Sequence, residues 1–146
     1  MTEDAGFLDD YLLYLLARAS AAASAQFHAE LSDLGVAVPT WRIIAVLSDG
    51  STTVGALAAA VMLKQATLSK ALDRLERDGL VARERQGQDR RQVRIVLTPS
   101  GRALADTLIP RARAHQEQLL APYSETQRAV LRDVLHDLLA MAGRNG

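Results

Sequence analysis

The side chains best suited to chemistry in this chain are basic, and they stand together. From about Lys64 to Asp78, a helical period places Ala66, Thr67, Lys70, Asp73, Arg74 and Arg77 on one face and Leu68, Ala71, Leu72 and Leu75 on the other. The apolar face packs, while the opposite face carries short polar side chains near the helix start and cations along its length. A helix lying in a DNA major groove uses that combination: small hydroxyl residues approach base edges, and Lys and Arg reach phosphates or guanine. A second cationic group follows in the loop QGQDRR. There Arg90 and Arg91 suit a narrow minor groove, which attracts arginine electrostatically, and Asp89 can hold one guanidinium in a bidentate pair.

Taken alone, the helix would read as an ordinary solvated amphipathic one; its neighbours decide otherwise. Before it, VGALAAAV (Val54 to Val61) is a short, small-residue helix with Thr52 and Thr53 available to cap it. After it, Asp78-Gly79 breaks the helix, and VARER and QVRIVL read as two strands flanking the six-residue basic loop. Helix, tight turn, helix and basic hairpin form a winged helix-turn-helix. The predicted fold class is mostly α with a small β-hairpin wing.

The rest of the chain reads as support. Residues 7–34 carry Phe7, Leu8, Tyr11, Leu12, Leu15 and Leu16 at helical spacing, predicting one long helix that Gly35 ends. Pro39 opens a helix bearing Trp41, Ile44 and Leu47, which Asp49-Gly50 closes. Thr98-Pro99 starts a helix with Leu104, Leu108 and Ile109, which Pro110 is expected to kink. Ser124 and Gln127 form a capping box for a last helix with Val130, Leu131, Val134, Leu135, Leu138 and Leu139 in a stripe. The apolar surplus at both ends predicts that two copies interlock. The expected organisation is one continuous domain: 1–36 a dimerisation helix, 37–98 the DNA-binding module, 99–146 further dimerisation helices.

Composition sets the limits. The net charge is zero, but its distribution is uneven. Residues 1–63 hold two bases against seven acids, a net −5, whereas residues 64–102 hold ten bases against five acids, a net +5. Local field, rather than the total, governs association with a polyanion. Absence of cysteine excludes disulfides, thiolate metal sites and thiol redox sensing. His28, His115 and His136 are scattered and fall at no ligand spacing, so no metal and no cofactor is expected. No nucleophile-base order, phosphate-binding glycine loop or isolated carboxylate pair argues for an enzyme. With no run of 18 apolar residues and no signal-like start, a cytoplasmic protein without membrane attachment is expected.

Residues from about Leu31 to Leu108 resemble the MarR family of multiple-antibiotic-resistance-type bacterial regulators. The similarity rests on Trp41-Arg42, on LSKALDRLERDGLV and on DRR…IVLTPSGRAL. It implies an interlocked helical homodimer reading a pseudo-palindromic, inverted-repeat operator in double-stranded DNA, with half-sites roughly 34–36 Å apart. It further implies repression relieved by a small, often aromatic or phenolic, anion. Carried over by position, Gln65, Thr67, Ser69, Lys70 and Arg74 fall on recognition residues. Arg91 falls on the minor-groove arginine, with Asp89 as its orienting partner and Arg90 as a phosphate contact. The effector pocket of the family points to Tyr11, Tyr14, Trp41, Arg42 and Arg111, although each is as easily core or interface and Trp41 suits packing better than ligand binding. Two departures stand out. Met62 replaces the usual turn glycine, predicting a looser turn, and Lys64 replaces the usual capping serine, costing about 1 kcal/mol. The competing reading is an architectural DNA binder without sequence preference or effector.

Overall fold

The computed structural model describes residues 6–85 and 93–144. Their elements run α1 (Phe7–Asp10), α2 (Leu12–Asp33), α3 (Val38–Ser48), β1 (Thr52–Thr53), α4 (Val54–Val61), α5 (Gln65–Arg77), β2 (Val81–Arg85), β3 (Val93–Leu97), α6 (Pro99–Leu120) and α7 (Glu125–Arg144). The molecule divides into two compact units, the first ending at Ala112 and the second beginning at Arg113.

In the first unit, one core closes around Ile43 and Leu47 of α3, Leu57, Ala58 and Val61 of α4, Leu68, Leu72 and Leu75 of α5, and Val81 and Ile95 of the sheet. The periodicity of α5 selects those three leucines, and Ala71 packs beside them half-buried. Each large apolar side chain taken fully out of water contributes about 1.5–3 kcal/mol, so this core fixes the pose of α5. A second cluster, Phe27, Leu31 and Leu108, packs with Val36, Val38, Trp41, Leu104 and Ala112.

The sheet has three strands in the order β1-β3-β2, both pairings antiparallel. Two strands were expected; the third is Thr52–Thr53, paired with Ile95 and Arg94. Arg94 draws that segment in, its Nε donating to Ser51 Oγ at 2.8 Å and its Nη2 to the Ser51 carbonyl at 2.7 Å. Thr53 still does what its position predicts, its Oγ1 accepting from the Ala56 amide at 3.2 Å to cap α4.

The expected single helix over 7–34 is two. Tyr11 adopts extended backbone (φ −79°, ψ 111°), and its amide bonds the Leu8 carbonyl at 3.3 Å. No residue of α1 is buried. Helix α2 buries only Phe27 and Leu31, leaving Leu12, Leu13 and Leu15 exposed. Helix α6 runs unbroken through Pro110.

In the second unit, the capping box is complete: the Gln127 amide donates to Ser124 Oγ at 3.2 Å and the Ser124 amide to Gln127 Oε1 at 3.0 Å. Arg128 then clamps the turn. Its Nη2 and Nε donate to the Leu120 carbonyl at 2.6 and 3.1 Å, and its Nη1 lies 3.2 Å from Glu117 Oε2. Helix α7 buries no residue and exposes Val130, Leu131, Val134, Leu139 and Met141. Among the described residues, no single helix is long and apolar enough to cross a membrane.

Candidate nucleic-acid interface

The approach to α5 is set by one backbone conformation. Met62 ends α4 at φ 60°, ψ 40°, the left-handed region, the one non-glycine residue there among those described. The Leu63 amide reaches back to the Ala58 carbonyl at 3.0 Å, closing a Schellman-type turn. The turn is therefore as tight as a glycine would make it, correcting the expectation of a looser one. With its side chain 72% exposed, Met62 meets no steric obstacle; the cost is the backbone strain of a Cβ at positive φ.

Lys64 takes the N-cap position and supplies no side-chain cap, as its identity predicts. At the far end, Gly79 (φ 76°) turns the chain and the Leu80 amide bonds the Leu75 carbonyl at 2.9 Å. Thr98 locks this exit to α6: its hydroxyl donates to the Gly79 carbonyl and accepts from the Gly101 amide at 3.1 Å. Gly101 is buried against the same turn, close enough that a Cβ built there would lie 2.0 Å from the Leu80 carbonyl oxygen.

The outward face of α5 presents Thr67, Lys70, Arg74 and Arg77, all exposed. Thr67, Lys70 and Arg74 line a groove of about 420 Å³ with Ala66 and with Ala37, Pro39 and Thr40 at the start of α3. The residues at the start of α3 had no place in the sequence reading, because only the crossing of α3 and α5 brings them there. Arg77 folds back, its Nε donating to the Asp73 carbonyl at 3.4 Å. The other two recognition positions lie off this groove. Gln65 is exposed beside α4, with Nε2 3.5 Å from where a Cβ on Gly55 would sit, and Ser69 is half-buried. Asp89, Arg90 and Arg91 lie outside the described residues.

The basic field of residues 64–102 resolves into distinct tasks. Arg94 braces Ser51, and Arg102 Nη1 donates to the Ser48 carbonyl at 3.1 Å, where the C-terminal end of α3 favours a cation. Arg83 of β2 lies 3.0 Å from Asp73 Oδ1 and 3.1 Å from Glu76 Oε2, both on α5. Sequence reasoning passed over Arg83; its signal was the pair of acids three residues apart on a helix otherwise bearing cations.

The five effector candidates stand apart from one another in their contacts. The Trp41 ring meets Phe27 edge-on, centroids 5.2 Å apart, within the second core cluster, so its role there is packing. Tyr11 stacks on Phe7 at 4.9 Å. Tyr14 accepts from Arg18 Nη1 at 3.1 Å, a bond that raises the guanidinium above its usual range. Arg42 is half-buried and Arg111 exposed. Among the described residues, no three His, Cys, Asp or Glu groups come together to hold a metal ion.

Residues 34–92 match the model of the MarR family. The solved MarR family transcriptional regulator SPO1453 from Silicibacter pomeroyi DSS-3 is 39% identical, covering 94% of this chain and 98% of that one at a TM-score of 0.83. NadR in complex with 4-hydroxyphenylacetate superposes over 94% of this chain and 96% of its own, with 25% identity and a TM-score of 0.82. The homoprotocatechuate degradative operon repressor of Escherichia coli is 27% identical over 135 residues, 92% of this chain and 91% of that protein. A 76-residue stretch is 37% identical to the HTH-type transcriptional regulator PecS of Dickeya dadantii, spanning 52% of this chain and 46% of PecS. These relatives are transcriptional regulators rather than enzymes. The chain belongs to the MarR family of DNA-binding winged helix-turn-helix transcriptional regulators.

Proposed function

We propose that the protein is a homodimeric, sequence-specific repressor that binds an inverted-repeat operator and releases it when a small aromatic anion binds. The observation that carries this reading is the outward face of α5, where Thr67, Lys70 and Arg74 stand exposed over a core that fixes the helix. Among the described residues, neither Lys70 nor Arg74 is held in an ion pair, so both are available to a polyanion. Thr67 and Lys70 are assigned to base edges, Arg74 and Arg77 to phosphate or guanine, and Gln65 and Ser69 to the flanks of the site. Arg91 is assigned to the minor groove, with Asp89 orienting it and Arg90 on phosphate.

Dimerisation is supported by apolar surface left bare in each unit: Leu12, Leu13 and Leu15 in the first, and Val130, Leu131, Val134 and Leu139 in the second. A helix such as α7, which buries nothing, gains little stability without a partner surface. A second copy supplies that surface and sets two recognition helices about one DNA turn apart. NadR holds 4-hydroxyphenylacetate, which supports an aromatic acid as effector. Tyr11, Tyr14, Arg42 and Arg111 are the side chains of matching chemistry. A DNA partner makes the cytoplasm the working location.

The test is selection of bound duplexes from a random library at near-physiological salt. Enrichment of an inverted repeat is expected. Binding with no enrichment, fading uniformly as salt rises, would instead identify an architectural DNA binder. On the enriched duplex, Lys70→Ala should change preference at particular base pairs, and Arg91→Ala should weaken all sequences alike.

A further inference from the structure

Helix α5 carries two carboxylates among its cations. Between Gln65 and Arg77 it has Lys70, Arg74 and Arg77 against Asp73 and Glu76, a net of only +1. At 100° per residue, Asp73 projects about 60° from Lys70 and about 40° from Arg77. Its charge thus sits on the flank of the face assigned to DNA, within the roughly 8 Å Debye length of physiological salt. Phosphate approaching Lys70 and Arg77 therefore meets a negative neighbour.

Arg83 answers that charge. It stands opposite Ile95 in the β2–β3 register, on the same side of the sheet as Val81 and Leu97, so its side chain is aimed at α5 rather than away from it. One nitrogen, Nη1, contacts both carboxylates, at 3.0 and 3.1 Å. The side chains are 30% (Arg83), 62% (Asp73) and 46% (Glu76) exposed. Ion pairs this open contribute little to stability, so holding the fold is not what this contact accomplishes.

We infer that Arg83 is a positioning residue for DNA recognition: it masks Asp73 and Glu76, leaving Lys70, Arg74 and Arg77 to face phosphate unopposed. Arg83 itself touches no nucleotide in this scheme. The inference rests on the DNA-binding reading of α5 given above.

The test is fluorescence anisotropy of the full-length protein on the selected duplex between 50 and 300 mM salt, with thermal melts alongside. Arg83→Gln is expected to weaken binding about ten-fold at the lowest salt and far less at the highest, because the unmasked repulsion is screened. The triple variant Arg83→Gln/Asp73→Asn/Glu76→Gln should bind at least as tightly as the wild type, since its remaining helix charge is +3. If the triple variant stays as weak as Arg83→Gln, Arg83 contacts phosphate or tethers the wing, and masking is refuted. A fall of about 0.9 in the salt slope would single out the phosphate contact. Asp73→Asn/Glu76→Gln gives a second reading if Arg83→Gln does not fold. Tighter binding by a few-fold fits masking, and weaker binding overturns it. A wild type that binds no duplex would instead remove the DNA-binding reading on which the inference stands.

Discussion

Gly101 offers a substitution for which two physical effects predict opposite signs. By helix propensity, Gly→Ala in α6 should stabilise the protein by up to about 1 kcal/mol. By packing, it should do the reverse. A Cβ at this position would lie 2.0 Å from the Leu80 carbonyl oxygen and 3.0 Å from Leu97 Cδ2. Backbone cannot swing aside as a side chain does, so α6 must retreat from 2.0 Å to 3.4 Å, about 1.4 Å, to reach an ordinary contact. Retreat stretches the Thr98 amide to Leu80 carbonyl bond (3.1 Å) and the Thr98 clasp on Gly79 and Gly101. Overpacking of this kind costs about 1–3 kcal/mol, and weakening the cap about 1 kcal/mol more. After the propensity gain, a net loss of about 1–3 kcal/mol remains, which for this chain length lowers Tm by roughly 2–12 °C. Urea and thermal unfolding by circular dichroism, at one fixed protein concentration because a dimer's stability depends on it, give the answer. A Gly101→Ala protein as stable as the wild type, or more so, would refute the packing account and leave propensity as the stronger effect.

Met62→Gly should stabilise by about 1 kcal/mol, a rise in Tm of roughly 2–4 °C, because glycine relieves a left-handed residue that buries no side chain. DNA affinity should not change, and a loss of affinity would show that the Met62 side chain has a task beyond the turn. Lys64→Ser should add up to about 1 kcal/mol by supplying the cap that α5 lacks, read as a shift in urea midpoint at constant slope. Arg128→Ala removes the donors to the Leu120 and Tyr123 carbonyls together with the Glu117 ion pair. A cost of about 1–3 kcal/mol is expected, concentrated in faster amide exchange around residues 120–128. Uniform exchange rates across the α6–α7 turn would contradict it.

Much of this protein is written locally. Thr53, Thr98 and the Ser124–Gln127 box cap their helices as their positions predict, because a cap needs only a side-chain oxygen two or three residues from an unpaired amide. The inner face of α5 follows likewise from a spacing of three and four, which turns Leu68, Leu72 and Leu75 one way and the cations the other. These are short-range facts, and the sequence alone determines them. What needed the tertiary structure involves partners distant in the chain or absent from local rules. Thr52–Thr53 becomes a strand by pairing with Arg94 and Ile95, some forty residues on, beside the Arg94 bonds to Ser51. Helix α2 parts from α1 at Tyr11, where the backbone turns extended although no proline or glycine marks the place. Met62 keeps a glycine's turn, since its side chain is largely exposed and the Schellman bond holds the backbone. Ten basic residues in one stretch read as a single field, yet folding turns Arg94 and Arg102 to backbone carbonyls and Arg83 to two carboxylates, while Lys70 and Arg74 stand exposed and outside any ion pair among the described residues. Charge can be counted along a sequence, but which charge meets which is decided by the crossing of strands and helices.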